Sequence, residues 1–215
     1  MINRELYMEQ ITPFIDKPFV KVITGIRRCG KSVVLRLIRE ELLRRGVSED
    51  YIIYMNFESF EWIDMKEAKA LYAHIREATK APGKYYILLD EIQEVTDWEK
   101  AVNAFLVNLD VDIYVTGSNS RLLSSEFSTY LAGRYVAFHI MTLSFREYLL
   151  FHDLPLTISV SDRKTEFLKY LRMGGFPAIH TANYDYNAIY KIVYDIYSSV
   201  ILRDTVQRHS IRNVE

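Results

Sequence analysis

Eight residues, Gly25-Ile26-Arg27-Arg28-Cys29-Gly30-Lys31-Ser32, match G-x-x-x-x-G-K-S at every required position. These residue types suit a grip on a chain of phosphates. Glycine at 25 and 30 lets the backbone turn tightly and aim its N–H groups at phosphate oxygens. The Lys31 ammonium reaches β- and γ-phosphates, and the Ser32 hydroxyl can ligate Mg²⁺. From Val33 the chain reads as a helix whose N-terminal dipole favours the same anions. Between the glycines, Ile26, Arg27, Arg28 and Cys29 supply backbone, and the two arginine side chains are expected to face solvent or a partner. A second pair, Asp90-Glu91, ends the apolar run Tyr85 to Leu89. An acid so placed can hold the hydration shell of Mg²⁺, and the carboxylate beside it can orient or deprotonate an attacking water. Each motif alone has a plainer reading, a glycine turn before a lysine and a pair of helix-capping acids. Together, and each at the end of an apolar strand, they point to a nucleoside triphosphate.

These groups must be positioned by strands and helices, and the apolar periodicity supplies both. The strand pattern Phe19, Val20, Val22, Ile23 leads into the loop, and the helix after it runs to about Arg45, with Gly46 as its C-cap. Ahead of them, Asn3 to Lys17 fits a short amphipathic helix. Tyr51 to Phe57 reads as a buried strand, followed by a helical region from about Asp64 to Thr79. After the Asp90 strand come a helix from Asp97 to Leu109, a strand from Val111 to Val115, a helix from Leu122 to Leu131, and a fifth strand from Tyr135 to Met141. This alternation predicts an α/β fold, a five-stranded parallel sheet sandwiched by helices. The strand is expected to end between Asp90 and Glu91, because neighbours on one strand would point to opposite faces. No strand pattern returns after Met141. Ser144-Phe145-Arg146-Glu147 opens a capped helix, Arg163 to Met173 is a second, and Tyr184 to Arg208 a third. We therefore expect a core over 1–142 and an all-helical extension over 143–215.

Two further segments carry candidate chemistry. Thr116 to Asn119 ends the fourth strand, where Ser118 and Asn119 could touch the γ-phosphate or the water; a turn rich in small polar residues fits equally well. Arg134 precedes the fifth strand. It could stabilise developing charge on its own loop or on a neighbouring subunit, or form an ordinary surface ion pair. Composition narrows the field. With 215 residues, 49% hydrophobic content and a formal net charge of −1, the chain can bury a full core and carries no global basic footprint for nucleic acid. One cysteine excludes an internal disulfide framework, and five histidines show no ligand spacing. No apolar run is long enough to cross a bilayer, so no membrane partner and a cytoplasmic location are expected.

Taken in order, T-G-I-R-R-C-G-K-S, L-L-D-E-I-Q, T-G-S-N-S-R-L-L-S-S-E, L-A-G-R and G-G-F-P resemble a family of prokaryotic AAA-type P-loop ATPases. In that family the ATPase core is followed by a C-terminal domain of unknown function. The resemblance implies a P-loop NTPase fold with ATP and Mg²⁺ as ligands. It puts Lys31 and Ser32 on phosphates and metal, Asp90 on the metal, Glu91 as catalytic acid, and a polar sensor around Ser118 and Asn119. It also implies that the chain is the N-terminal part of a longer protein, with a DNA or protein partner engaged through the missing domain. The expected activity is Mg²⁺-dependent ATP binding and hydrolysis. The rival readings are a nucleotide-gated binding module with little turnover and a phosphotransferase acting on a small acceptor.

Overall fold

The β-branched run Val20–Thr24 forms the first strand, β1, with all five residues buried. It lies in a computed structural model that describes residues 3–117, 131–181 and 184–200. Four more strands join it: Ile52–Asn56 (β2), Tyr85–Asp90 (β3), Val111–Gly117 (β4) and Tyr135–His139 (β5). They form one five-stranded sheet in the order β2-β3-β4-β1-β5. Every pairing is parallel.

Helices cover both faces. The run Ala68–Ala78 (α3) and the run Trp98–Asn108 (α4) pack on one face through Leu71, Ile75, Trp98, Val102 and Phe105. That face carries Val20, Val22, Met55, Ile87, Leu89, Ile113 and Val115 in a single apolar core. Two helices, Glu5–Ile11 (α1) and Lys31–Arg44 (α2), belong with the other face. Period-two alternation puts Lys21, Tyr54, Leu88, Asp90, Asp112, Tyr114 and Thr116 there. The division is chemical. One face is a dry core, and the other carries a polar stripe under α2.

Local chemistry explains where elements stop. The end of α2 is a Schellman motif, with Gly46 N–H on the Leu43 carbonyl at 2.9 Å and Val47 N–H on the Leu42 carbonyl at 3.1 Å. Gly46 takes φ 89°, which its missing Cβ allows. Near the N-terminus the helix is shorter than its periodicity suggested. Pro13 lacks an N–H and turns Thr12–Phe14 into a single 3₁₀ turn. The helical region expected from Asp64 is divided, because Glu67 is extended and bridges Thr96 before α3 begins.

At the N-terminal edge of the polar stripe, Lys21 of β1 and Asp112 of β4 form an ion pair with side chains 0% and 1% exposed. Asp112 also accepts the Tyr114 hydroxyl and the Asp16 N–H, each at 2.8 Å. Burial pushes the Lys21 ammonium below its ordinary pKa, and Asp112 opposes the shift.

The chain divides into two compact units, Asn3–Gly25 with Lys31–Ile140, and Met1–Ile2 with Ile26–Gly30 and Met141–Glu215. In the latter, Phe145–Phe151 (α5) starts with a full capping box between Ser144 and Glu147. The next helix, Val160–Met173 (α6), starts at a Ser159 cap, three residues earlier than expected, and Gly174 ends it at φ 79°. Gly175 has no room for a side chain, since a Cβ there would lie 2.5 Å from the Leu143 carbonyl oxygen. The last described helix is Tyr186–Val200 (α7).

Removing one partner of a buried pair strands the other charge. Lys21→Met should cost about 3–5 kcal/mol, read as a lowered denaturant midpoint, with the sheet intact by circular dichroism. An unchanged midpoint would mean that Asp112 is compensated without the lysine.

Candidate functional site

Lys31 is the first residue of α2, and its side chain is 3% exposed. The loop before it takes conformations that explain its glycines, with φ 151° at Gly25 and 105° at Gly30. Arg28 also sits at positive φ, 65°. Within the loop, Cys29 N–H donates to the Ile26 carbonyl at 3.3 Å. The Cys29 thiol is buried, Ile26 and Arg28 are exposed, and Arg27, Ser32 and Val33 are half-buried.

Asp90 is the last residue of β3 and is fully buried. Its two oxygens are held from the neighbouring strands. The Thr116 hydroxyl of β4 donates to Oδ1, and the Tyr54 hydroxyl of β2 donates to Oδ2 at 3.0 Å. Burial, reinforced by the Asp90 charge, pushes the Tyr54 phenol well above its ordinary pKa, so it stays a donor at any physiological pH.

The strand ends after Asp90, at the expected place. Glu91 turns into the left-handed region, φ 54° and ψ 48°. Its N–H donates to Thr116 Oγ1 at 2.9 Å, so one hydroxyl serves both acids. Glu91 Oε1 lies 3.2 Å from Lys31 Nζ. Glu91 Oε2 accepts the Gln93 side-chain amide at 2.5 Å. The other end of that amide, Gln93 Oε1, is buried and meets no donor among the described residues. An orphaned acceptor of this kind costs about 1–3 kcal/mol.

The structure thus brings Lys31 to Glu91 and sets Asp90 beside them. Arg134 and the loop of its own chain stand at opposite edges of the sheet. Val20 pairs with Tyr135 and Thr24 with His139 in a parallel register. Arg134, just before Tyr135, is therefore at the opposite edge of the sheet from the loop, roughly 15 Å away along β1. It is exposed there and donates to Asn103 Oδ1 at 3.0 Å. Ser118 and Asn119 lie outside the described residues. Tyr54, Thr116 and Gln93 join the site only through the structure. For Thr116 the one signal was its place at the end of a strand; its pairing with Asp90 depends on the register of β4 against β3.

A parallel sheet in this order, with a glycine loop after β1 and an acid ending β3, defines the P-loop NTPase class. A family model described as AAA domain matches residues 17–149, and the chain belongs to that family. An uncharacterised protein of Haemophilus influenzae is 40% identical over 99% of this chain and 52% of its own length. Another from Methanocaldococcus jannaschii is 34% identical over 100% of this chain and 47% of its own. The chain therefore spans about half the length of the curated relatives it matches. Among solved structures, the Walker-type ATPase PABY2304 of Pyrococcus abyssi is similar, with a TM-score of 0.61 at 13% identity over 98% of this chain and 77% of that one. AMPPCP-bound DnaA from Aquifex aeolicus gives 0.54 at 13% identity, over 97% and 67%. Both likenesses are of fold.

Thr116 ties two acids to one hydroxyl. Thr116→Val keeps the shape and leaves a buried carboxylate oxygen and an N–H unpaired, a loss of about 1–3 kcal/mol for each group. Thr116→Ser should restore most of it. Equal denaturation midpoints for Val and Ser would show that the hydroxyl does not matter.

Proposed function

We propose that this chain binds ATP with Mg²⁺ and hydrolyses it to ADP and phosphate. The observation that carries the reading is the 3.2 Å pairing of Lys31 with Glu91 beside the buried Asp90. A loop cation faces Glu91, the acid that directly follows the buried Asp90 at the end of β3. Lys31 and the loop backbone from Gly25 to Val33 would hold the phosphates. The donor set also fits a hard cation. Among the described residues no three His, Cys, Asp or Glu side chains gather into a metal cage. Magnesium held by one or two protein oxygens and by substrate phosphates needs none. Ser32 and Asp90 would be those protein ligands. When bound, Mg²⁺ supplies charge neutralisation on the phosphates.

Glu91 is the general base in this reading. It orients the water in line with the γ-phosphorus and accepts its proton. Lys31 offsets charge on the transferring phosphoryl group. Arg134, at the far edge of the sheet, would serve the loop of a second copy, which makes the active form an assembly in which each site is completed by its neighbour. No helix of the described residues is long and apolar enough to cross a membrane. We place the activity in the cytoplasm, where ATP is available. In a protein of the relatives' length, turnover would act on a DNA or protein partner engaged by further sequence.

Lys31→Ala should weaken ATP binding by roughly 10–100-fold, the worth of a charge-assisted contact. Glu91→Gln should lose about 10²–10⁴-fold in turnover with no loss of affinity. Calorimetry and phosphate release separate the two effects. Parental affinity in a folded Lys31→Ala variant would end the ATP assignment, and parental turnover in Glu91→Gln would reduce Glu91 to a turn residue.

Arg134 makes a separate claim. Mixing Arg134→Ala chains with Lys31→Ala chains should restore part of the turnover each has lost, because each keeps a different half of a shared site. Activity per chain should also rise with protein concentration. No rescue together with concentration-independent turnover would leave Arg134 as a surface residue paired with Asn103.

A further inference from the structure

Both carboxylate oxygens of Glu91 are engaged by the chain's own groups, and the two engagements differ in kind. Oε1 faces the Lys31 ammonium at 3.2 Å, an attraction for which any bound phosphate competes. Oε2 takes the Gln93 amide N–H, an uncharged donor with less attraction for phosphate than an ammonium. Gln93 lies in the single helical turn Ile92–Glu94, so the backbone keeps it next to Glu91 whatever Lys31 does. The orientation of its amide is settled by electrostatics. Turned over, the carbonyl oxygen would face the carboxylate and repel it. In the orientation kept, Gln93 Oε1 is buried without a donor among the described residues. Native proteins carry few such orphans, and each calls for a reason. Here the reason is the charge-assisted bond made by the other end of the same amide.

We propose that Gln93 is the positioning residue of Glu91: it holds Oε2 so that Oε1, freed when phosphates take Lys31, is the oxygen that receives the water proton. The inference rests on the ATPase reading above and deepens it. Without nucleotide, the Lys31 ammonium occupies the side of Oε1 at 3.2 Å. Once Lys31 turns to phosphate, Glu91 keeps one partner and gains one free basic oxygen. The water oxygen then bonds to the γ-phosphorus, and the bond from that phosphorus to the bridging oxygen breaks with its electron pair on ADP. The water proton passes to Oε1. Gln93 neither gives nor takes a proton. Thr116 holds the backbone of the same residue through its N–H, so Glu91 is fixed at both ends by hydrogen bonds with uncharged partners.

Two variants test this. Gln93→Glu keeps the shape and replaces the donor by a repelling acceptor, and Gln93→Leu removes the polar group altogether. Both should lose roughly 10–100-fold in turnover, the worth of one charge-assisted hydrogen bond. Affinity for a non-hydrolysable ATP analogue, measured by calorimetry, should stay level or tighten a few-fold, because a loosened Glu91 competes less for Lys31. In a Glu91→Gln background, Gln93→Leu should lower turnover no further, since no base remains to be positioned. Parental turnover in both single variants overturns the proposal. So does a parallel fall of affinity and turnover, or an additional loss in the double variant, since either marks a structural role. The two levels can be told apart. A parental chain that binds no analogue ends the ATPase reading and this inference with it. An inactive Glu91→Gln beside fully active Gln93 variants ends this inference alone.

Discussion

A carboxylate buried to zero exposure governs this sheet. Taking Asp90 out of water costs several kcal/mol, and the charge is tolerable only with hydrogen bonds to both oxygens. Charge-assisted bonds of about 1.5–3 kcal/mol each can offset most of that, provided both donors arrive. One donor comes from β2 and the other from β4, so the strands on either side of β3 must be these two in this register. Tyr54 lies opposite Leu88, and Leu88 opposite Tyr114, which brings Tyr54 and Thr116 level with the end of β3. A slip of one residue on either strand would turn its hydroxyl to the other face and leave Asp90 half-satisfied.

The same face carries a second buried carboxylate at its other end, Asp112, paired with Lys21. The face under α3 and α4 has no charged residue in its core, whereas the side of α2 combines its polar stripe with buried apolar residues such as Leu35, Ile38 and Leu42. The face under α2 holds every buried acid of the sheet, each with a hydroxyl or an ammonium from a neighbouring strand. A polar stripe of this kind contributes little net stability, because desolvation cancels most of the attraction. Its worth is in specifying which strands are neighbours.

Much of this was legible in the sequence, and the limits follow from locality. The loop from Gly25 to Ser32 and the Asp90-Glu91 pair are contiguous, and the alternation of strands and helices revealed a parallel sheet. Tyr54, Thr116 and Gln93 were harder. Tyr54 and Thr116 matter only through the register of β2 and β4 against β3, which no local pattern encodes. Gln93 looks like any polar residue of a short turn until Glu91 is seen to leave the strand. The run that separates loop from acid in sequence, Tyr51 to Phe57, is not what separates them in space. That place belongs to β4, and β2 is an edge strand. Arg134 was readable in principle. A residue ahead of a parallel strand lies at the edge opposite a loop that follows one, so parallel topology alone places Arg134 and its own loop at opposite edges.

The left-handed turn at Glu91 is best understood as the cheaper of two costs. Had β3 continued, strand parity would have aimed Glu91 at the face that carries Ile87 and Leu89, into the core formed with Ile92, Val95 and Trp98. A carboxylate unpaired in that setting costs several kcal/mol or is driven to take up a proton, and a protonated acid cannot serve as a base. The αL conformation costs a non-glycine residue about 1–2 kcal/mol. It turns Glu91 away from the apolar core and toward Lys31, and it frees the N–H that Thr116 accepts. Glycine would adopt this turn with less strain, but it would bring no carboxylate. A glutamate at positive φ directly after a buried aspartate is therefore the arrangement that lets two adjacent acids serve one site.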